Sequence, residues 1–118
     1  MSVTLEAAIF EALKSLVANR VYPDVAPEKV ARPYITYHQV GGAAINFIDA
    51  TTPSKKRGRF QVNVWGDTRT QVSALTAATE DALRAAAILQ TRVEDGPAGF
   101  YDPDTKLRGT MQDFSFIF

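Results

Sequence analysis

A chain of 118 residues with 46% hydrophobic and 22% charged side chains has the composition of one globular domain with a core of its own, which excludes disorder as its general state. Its 13 basic and 13 acidic residues cancel to a formal net charge of zero, which argues against a dedicated duplex-DNA binder and removes the self-repulsion that keeps copies apart. There is no cysteine, so disulfides, thiolate nucleophiles, thiolate zinc sites and iron–sulfur clusters are excluded.

Residues 4–18 predict an amphipathic helix, because Leu5, Ile9, Leu13, Leu16 and Val17 recur at three-and-four spacing and Ser2 or Thr4 is placed to cap it. Glu6 and Glu11 stand where a secretory leader or membrane span is apolar, so neither is expected. Residues 19–33 read as a connector in which Pro23, Pro27 and Pro33 prevent a continuing helix. "YITYHQV", 34–40, is rich in β-branched and aromatic residues and predicts a strand. Gly41-Gly42 punctuates it, and "AAINFIDA", 43–50, is expected to return as a second strand, the antiparallel neighbour of the one beyond the next loop.

Residues 51–58 form a polar break before a strand at 59–65, where Phe60, Val62 and Val64 alternate with Gln61, Asn63 and Trp65. Thr68 and Gln71 have capping-box spacing, and the helix they open is expected to reach Leu89 on Val72, Leu75, Ala78, Ala82, Leu83 and Ala86. Two or three strands follow. Asp102-Pro103-Asp104 signals a turn, and 106–118 predicts a long final strand carrying Phe114, Phe116 and Phe118 on one face. This order predicts an α+β fold for a single domain, 1–118, with two main α-helices packed on one face of a largely antiparallel β-sheet.

No residue pattern calls for chemistry. The single histidine, His38, lies mid-strand without evident partners, and reads as a packing or surface residue before it reads as a base. "DPDTK" lacks the glycine and closing glutamate of a calcium loop, Gly41-Gly42 is not a phosphate loop, and no serine sits in an elbow motif. No catalytic residue, cofactor or metal is expected. The basic segment Lys55, Lys56, Arg57 and Arg59 has two readings, a solvated loop or a contact with phosphate or with an acidic face of a partner subunit. "FSFIF" at the end is either an internal core strand or an edge awaiting another chain.

Several pieces, taken in order, resemble one family. Arg20, Val21, Tyr22, Pro23, Ala26 and Pro27, then Pro33, Tyr34, Ile35, Tyr37 and Val40, match its opening connector and strand. Arg59, Gln61, Val62, Val64 and Trp65 match its middle strand, and Asp113, Phe114 and Phe116 its closing one. The family is that of the small tail-completion proteins (tail terminator, tail-to-head joining) of long-tailed bacteriophages and prophages, distantly similar to the lambda minor tail protein U.

The resemblance implies a non-catalytic subunit that forms a hexameric ring on the head-proximal end of the tail tube, stops tube polymerisation and joins tail to head. Its implied partners are further copies of itself, the tail tube protein and head connector proteins, with transient contact to passing DNA and no membrane. Its implied place is the virion tail, assembled in the host bacterial cytoplasm. Lys55, Lys56, Arg57 and Arg59 then become an interface or DNA-facing loop, and the polar face of strand 59–65 an inter-subunit or tube-facing surface. Glu94 or Asp95 is placed to pair with Lys55 or Arg57 of a neighbouring copy. The alternatives are another neck or head–tail connector protein, and a small single-stranded nucleic-acid-binding module that stacks bases on Tyr34, Tyr37 or Trp65.

Overall fold

The computed structural model describes residues 4–41 and 57–117. Helix α1, Leu5–Leu13, starts where the Ala7 amide donates to Thr4 Oγ1 at 3.1 Å. It is shorter than the periodicity predicts: Lys14–Leu16 tightens into a 3₁₀ turn, and Ala18 and Asn19 adopt left-handed φ values of 49° and 68°. The Asn19 amide closes the end by donating to the Lys14 carbonyl at 2.8 Å, a stop that Asn tolerates better than most residues. Ile9, Leu13 and Val17 still reach the core, because the tighter turn keeps Val17 on the same side.

The stretch 19–33 is not wholly a connector. It contains β1, Val21–Pro23, which runs parallel to β2, Tyr34–Gln39, with Val21 opposite Ile35. Pro23 masks the signal, yet as the last residue of an edge strand it removes no ladder donor that the sheet requires. Strand β3, Arg57–Gly66, exceeds the predicted 59–65 at both ends because β6, Leu107–Ile117, pairs with its full length. The expected strand at 43–50, and with it the expected pairing across the basic loop, lies outside the described residues.

Helix α2, Arg69–Ala85, begins with the Gln71 amide donating to Thr68 Oγ1 at 3.1 Å, while Gln71 Oε1 accepts from the Asp67 amide at 3.0 Å. It stops before Leu89 because Ala86 leaves the helical conformation (φ −77°, ψ 92°) and Ala87–Leu89 forms a 3₁₀ turn. Continued as an α-helix, Leu89 would point well away from Leu83; broken there, both are fully buried. Thr76 and Thr79 also lie on the buried face, their hydroxyls donating to the Val72 and Leu75 carbonyls at 2.7 and 2.8 Å.

Two short strands complete the sheet: β4, Arg92–Val93, and β5, Ala98–Asp102, lie one after the other along the edge of β6 away from β3. Among the described residues the order is β1-β2-β3-β6, then β4 and β5, antiparallel throughout except for β1 and β2. Phe114 and Phe116 are therefore interior and completely buried, while Phe118 lies outside the described residues. Alternation splits the sheet into two faces. One carries Ile35, Tyr37, Phe60, Val62, Val64 and Phe114 against both helices, as the α+β reading requires. The other face carries the candidate site.

Candidate functional site

Register assembles an aromatic row on the face turned away from the helices. Tyr22 of β1 meets Tyr34 of β2 edge to face at 6.5 Å, Tyr34 stacks on Trp65 of β3 at 6.0 Å, and Trp65 meets Phe100 of β5 at 4.9 Å. Strand β6 passes between Trp65 and Phe100 at Gly109, which pairs with both. A Cβ there would stand 2.5 Å from the Phe100 ring, so only glycine lets that ring cross. Burial raises the Tyr34 phenol above its ordinary pKa, against the nearby Arg32 charge, which lowers it.

Beside the row lies a polar patch. Trp65 Nε1 donates to Thr36 Oγ1 at 3.0 Å, and Asn63 Nδ2 donates to the same oxygen at 3.4 Å. Asn63 is 7% exposed, and its Oδ1 accepts no hydrogen bond. Thr36, Asn63, Trp65 and His38 floor a groove of about 350 Å³ whose rim includes Asp24 and Asp102. Val25, 78% exposed, stands on the rim. Arg32 braces one end, reaching Asp67 Oδ1 at 3.0 Å and the Thr105 carbonyl at 3.2 Å.

Of the basic residues singled out by sequence, Lys55 and Lys56 lie outside the described residues. Arg57 opens β3 and is exposed. Arg59 follows on the same face but is engaged within the chain, 2.9 Å from Asp113 Oδ2 and 3.2 Å from Asp95 Oδ2. The hydrogen bond to Asp113 is the main cause that raises its pKa further. Glu94, the other acid expected to reach a neighbour, is held by the Ser115 hydroxyl, which lowers its pKa, and lies 3.7 Å from Arg92.

A second cleft, of about 390 Å³, separates α2 from β5 and β6 on the helix side. Its polar groups are largely satisfied: Gln112 Nε2 donates to Glu80 Oε1 at 2.9 Å and to the Asp95 carbonyl at 3.1 Å, and Arg69 donates to the Phe100 carbonyl at 3.1 Å. It reads as structure. The open-face groove instead offers an unused acceptor, aromatic faces and carboxylates, which equip it to hold a ligand rather than to transform one. Among the described residues, no group of three or more His, Asp or Glu side chains is arranged to hold a metal ion.

The alternation of β3 makes Asn63 and Trp65 legible in the sequence as outward side chains of a strand. It does not reach Thr36, Asp24, Phe100 and Gly109, which come from other elements. The one local signal among them is a glycine inside a long final strand, which commonly marks close approach of another group.

A family model described as "Tail completion protein gp17" matches residues 7–118. No curated protein sequence matches the chain. Among solved structures, a chain of the "Virion of native gene transfer agent (GTA) particle" superposes with a TM-score of 0.65 at 21% identity, covering 96% of this chain and 92% of its own. That likeness shows a shared fold. A second solved chain, 17% identical over 98% of this chain and 96% of its own, reaches a TM-score of 0.48, too loose a fit to argue from.

Proposed function

The chain belongs to the tail completion protein gp17 family, and from that premise we propose that it caps the head-proximal end of the tail tube as a ring, stops tube polymerisation and joins tail to head. Membership itself makes the protein a structural part of phage tail completion, a virion component that works against other tail and head proteins. The position on the tube, the hexameric ring and transient contact with passing DNA are the finer content of the proposal.

The observation that carries it is the extent of the match. Residues 7–118 take in most of α1 and every later described helix and strand, so the match spans nearly all of the described fold. Zero net charge supports assembly of like copies, which then approach without mutual repulsion. The basic segment Lys55, Lys56, Arg57 and Arg59 is proposed as the interface or DNA-facing loop, with Arg57 its exposed described member. Modest positive charge suits a passage through which DNA slides without being held. The stacking module is disfavoured at Trp65, whose ring already packs against Tyr34 and Phe100 beside a groove lined by two aspartates.

Electron microscopy of the protein mixed with open-ended tail tubes tests the role. The expected result is a ring of density at one end of each tube and arrest of further growth. Tubes that neither recruit the protein nor stop growing refute it, and recruitment to head connectors alone assigns the protein to the neck.

A further inference from the structure

We draw no further inference here: the strongest candidate, the sheet face turned away from the helices, where Met111 and Val25 stand exposed beside the aromatic row, has no element packed on it among the described residues, and nothing in the structure shows what covers it.

Discussion

Trp65 and Phe100 meet edge to face with ring centroids 4.9 Å apart, and the only backbone between them is that of Gly109. The absent side chain is what allows the contact. Gly109→Ala would put a Cβ 2.5 and 2.9 Å from atoms of the Phe100 ring and 2.9 Å from the Val64 carbonyl oxygen, which belongs to the backbone and cannot turn aside. We expect a loss of about 1–3 kcal/mol, the usual cost of overpacking, together with a red shift in Trp65 emission as Phe100 is pushed off. Unchanged denaturation and unchanged emission would show that the ring contact does not depend on the glycine.

The end of α2 can be tested by a pair of truncations. Leu83 is completely buried and Ile88 is 53% exposed. Leu83→Ala should therefore cost about 2–5 kcal/mol in urea denaturation, and Ile88→Ala no more than about 0.5 kcal/mol. A large loss at Ile88 would mean that the chain beyond Ala85 packs differently.

What the sequence disclosed follows the range of the forces involved. Periodicity and caps act within a few residues, and they located both helices, the Thr68 cap and the alternation of β3. The Asp102 turn was equally local, with Asp102 Oδ1 accepting from the Asp104 amide at 3.0 Å. Strand β1 escaped because its proline reads as a breaker, and the α2 threonines escaped because their hydroxyls are satisfied by the helix itself. The aromatic row escaped for another reason: Tyr22, Tyr34, Trp65 and Phe100 meet only through the register of separate strands, which spacing along the chain does not encode. Arg59 shows the same limit. It looked like one of four like charges, and its partners Asp95 and Asp113 come from distant parts of the chain.

Acid should loosen the β5–β6 turn. Thr105 Oγ1 donates to Asp102 Oδ2 at 2.9 Å, and this bond, followed by the Asp104 amide, lowers the Asp102 pKa below its ordinary 3.8. A carboxyl with a depressed folded pKa contributes stability that is present above its unfolded pKa and is lost as pH falls through the folded one. The contribution should thus hold at neutral pH and disappear below the ordinary aspartate range. Thr105→Val should move the Asp102 pKa upward, as read by carboxyl NMR titration. An Asp102 titration unmoved by this substitution would rule out the hydroxyl as the main cause.

Charge reversal separates the two arginines that share the open face of β3. Arg57 is exposed, and a solvated charge contributes little to stability, so Arg57→Glu should leave the melting temperature unchanged. Arg59→Glu should lower it, because the new carboxylate would stand beside Asp113 and Asp95 in place of the cation that neutralises them. Combining Arg59→Glu with Asp113→Arg should recover part of that loss, and a double-mutant cycle gives the size of the coupling. The assembly assay should rank the two differently from the melt. A folded Arg57→Glu protein should fail to gather on open tail tubes, since the reversed charge would stand in the basic segment proposed as the interface. Tubes capped normally by Arg57→Glu would remove Arg57 from the interface, whatever the fate of Arg59.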